Sequence, residues 1–429
     1  MNGQTADFTI EHLGPCRFPS PMREGRFIAE RERLLYHSRF EDIQPYIIAG
    51  EEPPSLELAG PRERIFFDPA TIACGIVTCG GLCPGINDVI RAITLSLHHH
   101  YGIKKIYGFR YGYEGLVKRY GHAPLELTPD VVSAIGEQGG TVLASSRGPQ
   151  DPAEMVDYLA ELGVGILFAI GGDGTLKGAG AIAAEARRRG HTLSVIGIPK
   201  TIDNDISYVQ KTFGFETAVA EAHRAIYAAH TEAIGARNGV GLVKLMGRDS
   251  GFIAAYASLI DSQVNFCLLP EVPFTLDGLL RCLDERLQRR GHAVIVAAEG
   301  AGQELFAATE GRDASGNAKL GDIGTFLRDA IKGHFSGRGI ECNIKYIDPS
   351  YIIRSQPANP HDSVLCLLLG QNAVHAGMSG CTDMVVGFWN HQFTHVPIAL
   401  ATSKRKKVDP EGWLWGSVIA STGQPRAML

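Results

Sequence analysis

Short apolar runs alternate with stretches of helical spacing along much of this chain. The apolar runs, which predict buried strands, are ACGIVTC (73–79), KKIYGFR (104–110), VGILFAI (164–170), TLSVIGI (192–198), GVGLVKLM (239–246) and AVIVAAEG (293–300). The helical stretches include NDVIRAITLSLHHH (87–100), LKGAGAIAAEARRR (176–189) and FETAVAEAHRAIYAAH (215–230). Because strands alternate with helices, the pattern predicts an α/β fold with mostly parallel sheets that helices cover on both faces.

The chain is long enough for several domains. At about 150 residues per domain, 429 residues predict two or three. Residues 1–70 are rich in Pro, Glu and Arg and poor in periodicity, which indicates an extension that wraps a core or mediates association. We expect a larger domain from 71–214 plus 353–403, a smaller domain from 215–352 and a C-terminal tail from 404–429.

Composition excludes several classes of protein. Hydrophobic residues make up 45% and charged residues 20%, as in globular proteins, which excludes a disordered chain, a coiled coil and a collagen. With 41 basic against 46 acidic side chains, the net charge of −5 argues against nucleic acid as the main partner. The basic segment SKRKK (403–407) is therefore interpreted as a solvated surface. Since no run of about 18 apolar residues and no secretory signal occur, we expect a cytoplasmic protein without a membrane span.

The cysteines predict core packing. Nine cysteines in a chain of this length are sparse and odd in number, which is typical of reduced thiols in a cytosol. Cys74, Cys79 and Cys83 lie close together, but their spacing fits neither a zinc ribbon nor a ferredoxin loop. Cys74 falls in a predicted buried strand, where a thiol acts as a small apolar side chain. We therefore expect these thiols to fill the core and not to bind a metal.

Two glycine-rich loops follow predicted strands, at the strand ends where ligands bind in parallel sheets. In GGLCPGIND (80–88), Gly80 and Gly81 let a ligand approach the backbone, and the next helix offers free N–H groups to an anion. In GGDGT (171–175), Asp173 is the lone carboxylate. Because a carboxylate repels phosphates unless a cation lies between them, Asp173 predicts a Mg²⁺ site. A simple Asp-Gly turn explains this second segment equally well.

A third loop, PKTIDND (199–205), leaves the next strand with two carboxylates. In extended backbone Asp203 and Asp205 would project to the same side, about 7 Å apart. Carboxylates that close raise one another's pKa, which suits a general base, whereas a metal between them would keep both ionised. The alternative is an Asx-turn with helix capping by Asn204 and Asp205.

Seven segments in order resemble the phosphofructokinase family. They are GGLCPGIN (80–87), GGTVLASSRG (139–148), AIGGDGT (169–175), PKTIDND (199–205), KLMGRDSGFIA (244–254), AAEG (297–300) and YIIRSQPAN (351–359). The resemblance covers about residues 71–400. It implies phosphoryl transfer to the 1-hydroxyl of fructose 6-phosphate on two Rossmann-like, three-layer αβα domains with the active site in the cleft between them. The larger domain would bind the donor and the smaller domain the sugar phosphate.

The resemblance implies roles for individual positions. The donor-binding positions are Gly80, Arg147, Gly148, Gly172, Asp173, Gly174, Thr175 and Lys200, with Asp173 as the Mg²⁺ ligand. The catalytic positions are Gly81, Thr201, Asp203 and Arg248, with Asp203 as the general base. The sugar-phosphate positions are Thr201, Asp203, Asp205, Met246, Gly247, Arg248, Glu299, Lys345, Tyr351 and Arg354. Arg147 and Arg248 would stabilise charge on the transferring group, and Mg²⁺ would bridge the donor phosphates.

The sequence departs from bacterial ATP-using members at two positions. Gly239 stands where they carry an Arg that reaches a neighbouring subunit's sugar phosphate, and Arg237 is the candidate substitute. Lys345 stands where they carry an Arg, so a forked contact becomes a point charge. The family also implies a homodimer or homotetramer and a role in glycolysis.

The phosphoryl donor is indicated by two positions. ATP-using members usually carry Gly at both, pyrophosphate-using members carry Asp and Lys, and this chain combines Gly174 with Lys200. Because an Asp at 174 would occupy the space of the α-phosphate and repel it, Gly174 favours ATP, with pyrophosphate as the alternative. A non-catalytic regulatory subunit is the second alternative, against which the intact Asp173, Thr201, Asp203 and Arg248 argue. NAD and lipid kinases share GGDGT but lack PKTIDND.

Overall fold

A computed structural model describes residues 7–23, 25–307, 311 and 318–429, and the chain divides into two compact units. The larger unit takes the described residues up to Thr201 together with Ile206–Gly214 and Pro357–Lys404. The smaller unit takes Ile202–Asp205, Phe215–Gln356 and Arg405–Leu429. The described part of the N-terminal extension thus lies within the larger unit, and the tail from Arg405 lies within the smaller one.

The described residues contain strands and helices that we number along the chain. The strands are β1 (Glu11–His12), β2 (Phe18–Pro19), β3 (Arg33–Leu35), β4 (Ser55–Leu58), β5 (Arg64–Ile65), β6 (Ala73–Thr78), β7 (Ile106–Phe109), β8 (Leu125–Glu126), β9 (Val164–Gly171), β10 (Ser194–Pro199), β11 (Gly239–Leu245), β12 (Phe266–Leu268), β13 (His292–Ala298), β14 (Asn343–Ile347), β15 (Cys381–Thr382), β16 (Met384–Trp389) and β17 (Gln392–Pro397). The α-helices are α1 (Phe40–Ala49), α2 (Ile86–Tyr101), α3 (Pro152–Glu161), α4 (Asp173–Arg188), α5 (Phe215–Ile234), α6 (Phe252–Ile260), α7 (Leu276–Arg290), α8 (Ile323–Ser336), α9 (Ile352–Ser355), α10 (Pro360–Met378), α11 (Ile398–Ala401) and α12 (Trp413–Thr422). Short 3₁₀ helices span Gly112–Leu116, Lys118–Tyr120, Ile135–Glu137 and Gln303–Leu305.

The larger unit is built on a sheet with the strand order β3-β4-β17-β16-β10-β9-β6-β7-β8. The five strands from β16 to β7 run parallel, and antiparallel strands complete both edges. Every residue of β6, β9 and β10 is buried, as expected for central strands with helices on both faces. Helices α4 and α10 contact β9 and β10, and α2 packs against α10, with Val89, Ile90, Ile93 and Leu97 in one buried stripe.

The N-terminal segment extends this larger unit. Strand β1 pairs with β15, and β3 and β4 join the main sheet through β17. Phe8 and Leu56 are buried in the unit's core together with Leu167 and Val195 of the central strands. The described residues of this segment therefore pack onto the larger unit through strand pairing and buried side chains.

The smaller unit contains a parallel sheet with the strand order β12-β13-β11-β14. Its core packs Leu242 and Ile295 of the sheet against Leu283 of α7 and Leu327 of α8. The C-terminal tail is part of this core, since Met428 is buried in the same cluster.

The predicted α/β class, with mostly parallel sheets, is confirmed. The nine cysteines all lie in the described part of the chain and form no disulfide. Cys74, Cys79 and Cys83 are buried, and burial raises the pKa of Cys79 to about 12, as expected for a thiol that fills the core. Across residues 7–23, 25–307, 311 and 318–429, no helix combines the length and apolar character that a membrane crossing requires.

Candidate active site

Three loops lie side by side at the carboxyl edge of the larger unit's sheet. They follow the adjacent parallel strands β6, β9 and β10, and both outer strands pair with β9 up to its last residues. Lys200 joins the three loops, because its backbone N–H donates to the carbonyl oxygen of Gly171 (3.0 Å) and its Nζ donates to that of Gly81 (2.5 Å). Lys200 is only 5% exposed, so its charge is held directly against the first glycine loop.

The segment that carries Arg147 is hydrogen-bonded to this edge. The N–H of Gly80 donates to the carbonyl oxygen of Ser146 (3.0 Å), and the Ser145 hydroxyl donates to the carbonyl oxygen of Gly80 (2.7 Å). Gly80 has φ 86° and Gly148 has φ 102°, a region that favours glycine. Arg147 is exposed beside these turns. The structure thus brings three predicted donor-binding positions, Gly80, Arg147 and Gly148, to one place.

The loop after β9 turns directly into helix α4. A Cβ at Gly171 would lie 2.1 Å from Oγ1 of Thr175, so only glycine lets the helix begin this close to the strand. Asp173 is the first residue of α4, and its Oδ2 lies 2.9 Å from Nζ of Lys177, one turn later. A carboxylate at a helix N-terminus is stabilised by the helix dipole.

The two remaining glycines of this loop leave space beside the helix start. Gly172 is the N-cap of α4, and a Cβ there would approach only the carbonyl oxygen of Lys200, at 3.4 Å. Apart from its chain neighbours and the backbone of its own helix, no atom lies within 4 Å of a Cβ at Gly174. Position 174, whose residue distinguishes ATP-using from pyrophosphate-using members of the family, therefore faces open space.

The third loop does not follow the extended path that the sequence predicted. The carbonyl oxygen of Thr201 accepts a hydrogen bond from the Thr212 hydroxyl (2.7 Å), and the backbone then turns at Asp203. Asn204 has φ 53°, a left-handed conformation that Asn tolerates. The expectation that Asp203 and Asp205 share one face of an extended strand is therefore wrong. The helix-capping alternative does not apply either, because the next helix, α5, begins ten residues after Asp205.

Asp205 belongs to an ion-pair network with the C-terminal tail. Its carboxylate is 4% exposed and accepts a hydrogen bond from the guanidinium of Arg405. Arg405 also places its Nε 3.2 Å from Oδ2 of Asp249, so one guanidinium bridges two carboxylates. The N–H of Lys406 donates to the carbonyl oxygen of Asp205 (2.8 Å). Burial lowers the pKa of Lys406 to about 8, although Asp205 opposes the shift.

Asp203 lies among like charges. Burial raises the pKa of its carboxyl group well above the ordinary value, and the negative charges of Asp205, Glu299 and Asp249 raise it further. Arg405 acts in the opposite direction and lowers this pKa. A carboxylate with a raised pKa is a better proton acceptor than an ordinary one near neutral pH.

Two adjacent parallel strands of the smaller unit carry further predicted positions. Met246, Gly247 and Arg248 follow β11, and Glu299 follows β13, so all four lie at one edge of the sheet. The Arg248 guanidinium donates to the carbonyl oxygen of Ala318. Burial raises the pKa of Glu299, whereas positive charges that include Arg248 lower it.

The predicted phosphate-holding residues divide into two groups. The Arg354 guanidinium lies over the ring of Tyr351, 4.8 Å from its centroid, and the Tyr351 side chain is exposed. Lys345 lies within β14, beside Gly241 of β11, and its Nζ is 3.4 Å from Oε2 of Glu232. The structure therefore places Lys345 along the strand and not at the sheet edge that carries Arg248.

Arg405 and Lys406 are the site residues that sequence reasoning missed. The interpretation of SKRKK (403–407) as a solvated surface is wrong for these two, because both contact Asp205. A signal was present, since the basic segment complements the acidic segment IDND (202–205) in charge. Complementary charge alone does not show that two segments 200 positions apart, such as those of Asp205 and Arg405, are in contact.

Gly239 has a packing reason of its own. A Cβ at this position would lie 2.0 Å from the carbonyl oxygen of Ala233, at the end of α5. An Arg at 239 would therefore require the backbone to move. Arg237, the candidate substitute, is exposed two residues earlier.

We predict that Gly239→Ala lowers the free energy of unfolding by about 1–3 kcal/mol, because the added methyl group overpacks backbone atoms. Gly416→Ala is the matched control inside α12, where an added Cβ meets no atom within 4 Å. This control should leave stability unchanged or raise it by up to about 1 kcal/mol through helix propensity. Thermal unfolding of both variants measures the difference, and equal midpoints would contradict the predicted clash.

The side chains around Asp173, and those around Asp203, form no dedicated metal-binding site. Within the part of the chain that the structure describes, no group of three or more His, Cys, Asp or Glu side chains is arranged to hold a metal ion. Asp173 offers a single, partly exposed carboxylate. This arrangement suits an ion that receives its other ligands from phosphates and water.

Comparison with known proteins gives consistent matches over most of the chain. The phosphofructokinase family profile matches residues 73–377. The chain is 48% identical to the ATP-dependent 6-phosphofructokinase of Amycolatopsis methanolica, covering 98% of this chain and 95% of that protein. It is 46% identical to the ATP-dependent 6-phosphofructokinase of Borreliella burgdorferi (100% and 99% covered) and to that of Trypanosoma cruzi (96% and 87%).

Solved structures with low identity share the fold. The pyrophosphate-dependent phosphofructokinase from Marinobacter aquaeolei superposes with a TM-score of 0.67 at 20% identity, covering 79% of this chain and 86% of that one. Pichia pastoris phosphofructokinase in the T-state superposes with a TM-score of 0.64 at 22% identity, covering 87% and 40%. At this level of identity the two likenesses bear on the fold alone.

Proposed function

Since this chain belongs to the phosphofructokinase family, we propose that it is an ATP-dependent 6-phosphofructokinase, which transfers the γ-phosphoryl group of ATP to the 1-hydroxyl of fructose 6-phosphate. The observation that carries the proposal is the 46–48% identity, over nearly the whole chain, to relatives named for that activity. The open space at Gly174 supports ATP as the donor over pyrophosphate.

Steady-state rates with each donor test this choice. With fructose 6-phosphate and Mg²⁺ present, ATP at a given concentration should support turnover and pyrophosphate should not. Turnover with pyrophosphate alone would overturn the choice of donor and leave the family unaffected. Binding of fructose 6-phosphate without turnover on either donor would favour a regulatory subunit.

The donor-binding residues belong to the larger unit. The start of α4 presents backbone N–H groups, and Lys200 and Arg147 add positive charge, which together suit a polyphosphate. Asp173 would hold the Mg²⁺ that arrives with ATP. When bound, this ion neutralises the donor phosphates. The exposed ion pair between Asp173 and Lys177 is worth little, so Asp173 can exchange this partner for the ion at small cost.

The acceptor-binding residues belong to the smaller unit. Asp203 would accept the proton of the sugar 1-hydroxyl as the oxygen attacks the phosphorus, and its raised pKa suits this role. Arg248 would stabilise charge on the transferring oxygens. Arg354 and Tyr351, which lie together, would contact the 6-phosphate. Glu299, at the same sheet edge as Arg248, would orient the sugar hydroxyls.

Arg405 adds a positioning role that the family motifs do not contain. By bridging Asp205 and Asp249 it fixes the backbone immediately after the base, and its charge opposes the carboxylates around Asp203. The tail from Arg405 would thereby favour the ionised form of Asp203, which catalysis requires.

We predict that Gly174→Asp lowers kcat/KM for ATP by at least about tenfold, because a carboxylate in the open space would face the nucleotide phosphates. Gly174→Asn is the matched control, since it adds the same volume without the charge. Kinetics with ATP as the varied substrate measure the effect. If both variants lost activity equally, volume and not charge would be responsible, and unchanged kcat/KM in both would remove position 174 from donor selection.

A further inference from the structure

A thiol lies between two imidazole rings at the edge of the larger unit, away from the loops described above. Cys381 begins β15, and its Sγ is 3.9 Å from Nδ1 of His12 on β1 and 3.9 Å from Nδ1 of His395 on β17. Glu57 of β4 contacts both rings, with Oε2 3.5 Å from Nδ1 of His395 and 3.7 Å from Nε2 of His12. Four strands therefore contribute one titratable side chain each to a single cluster.

A cavity of about 770 Å³ leads to this cluster. Its lining includes His12, Glu57, Ser379 and Cys16. His12 and Ser379 both touch the buried sulfur, since the Ser379 hydroxyl is 3.4 Å from Sγ of Cys381. The His12 side chain is 44% exposed, so the cluster is open to solvent on this side. Cys381 itself is buried, and a small molecule in this cavity would lie against His12 and Ser379, which touch its sulfur.

We propose that Cys381 is a modification site at which hydrogen peroxide oxidises the sulfur to a sulfenic acid. The Cys381 thiolate attacks one peroxide oxygen, so an S–O bond forms while the O–O bond breaks. The hydroxide that leaves takes a proton from the His12 imidazolium and becomes water. Sulfur is oxidised by two electrons and peroxide is reduced by two. The rings at 3.9 Å supply both the positive charge that holds the thiolate and the proton that the leaving group needs.

The electrostatics distinguish this thiol from other buried thiols of the same chain. Burial alone would raise the pKa of Cys381, but His395 and His12 lower it to about 6. Contacts with Cys381 and Glu57 raise the pKa of His12 to about 10. At Cys74 and Cys79, by contrast, burial raises the thiol pKa. The two imidazoles therefore favour the thiolate at Cys381, whereas burial favours the thiol at Cys74 and Cys79.

Trapping of sulfenic acid tests the proposal without relying on activity. The full-length Cys16→Ser protein is treated with hydrogen peroxide in the presence of dimedone, and each cysteine peptide is followed by mass spectrometry. Cys16 is replaced because its Sγ donates to the carbonyl oxygen of Ser379 and could consume the product. The dimedone adduct should form on Cys381 at least about 100-fold faster than on Cys74 or Cys79 of the same molecules.

A second variant tests the role of the imidazole. His12→Gln removes one positive neighbour and should slow adduct formation on Cys381, whereas His99→Gln, at the exposed end of α2, should leave the rate unchanged. Labelling of Cys381 no faster than Cys74, or first labelling at another cysteine, would overturn the proposal. An adduct on Cys381 that is insensitive to His12→Gln would overturn the assignment of the proton donor.

Discussion

Replacement of Asp203 by Asn is expected to lower kcat about a hundredfold or more while the protein still folds and binds fructose 6-phosphate. The amide has nearly the shape of the carboxylate but cannot accept the hydroxyl proton. The acidic limb of the wild-type pH–rate profile, which reports ionisation of the base, should disappear in this variant. Steady-state kinetics across pH, together with the dissociation constant for the sugar phosphate, measure both effects.

The control for this variant removes an equal charge elsewhere in the same unit. Asp277 is exposed in the first turn of α7, and Asp277→Asn should leave kcat and the pH profile unchanged. If Asp203→Asn retained the wild-type kcat, Asp203 would not be the base. A loss of sugar-phosphate affinity together with unfolding would indicate a structural role for Asp203 and would contradict the expected result.

Local pattern was sufficient to predict the central parallel strands of the larger unit. The apolar runs at 73–79, 164–170 and 192–198 became β6, β9 and β10, because a run that is apolar on both faces is stable only between two layers of helix. Once those strands are parallel neighbours, the loops that follow them must lie at one edge. The proximity of Gly81 and Lys200 is thus implied by the sequence.

The path of the chain inside the third loop could not be predicted in this way. PKTIDND contains no periodic signal, and the chain departs from an extended path through a turn at Ile202 and Asp203 followed by a left-handed Asn204. The stabilising partner of Asp205 lies 200 positions later, at Arg405. Charge patterning read along a single chain shows which groups are complementary, and only tertiary structure selects the pairs.

The same limit applies to Gly239. The sequence shows that a family Arg is absent there, and the physical reason is a carbonyl oxygen of Ala233 that a side chain would strike. That oxygen belongs to the preceding helix, so no pattern around 239 indicates it. Where a contact with a distant part of the fold determines a residue's identity, as at Gly239, the sequence alone does not give the reason for it.

The contact across the fold with the largest expected effect is that of Arg405. We expect Arg405→Met to lower kcat/KM and to move the acidic limb of the pH–rate profile to higher pH. Arg405 lowers the pKa of Asp203, so its loss raises that pKa further. Because the base must be ionised, less of it is active at any pH below the new pKa, and the limb moves to higher pH. Kinetics from acidic to neutral pH measure the shift.

The groups that face Asp203 define the controls. Asp205, Asp249 and Glu299 remain in the variant and still raise the pKa of Asp203. Because Arg405 no longer opposes them, this pKa can only move upward. Lys407→Met removes an exposed charge two residues away and should leave the profile in place. Arg405→Lys should restore the limb only in part, because an ammonium group cannot bridge Asp205 and Asp249 as the guanidinium does. A pH profile unchanged by Arg405→Met, with thermal stability reduced, would make Arg405 a purely structural residue. Loss of this partly exposed ion pair would then lower stability without altering the ionisation of the base.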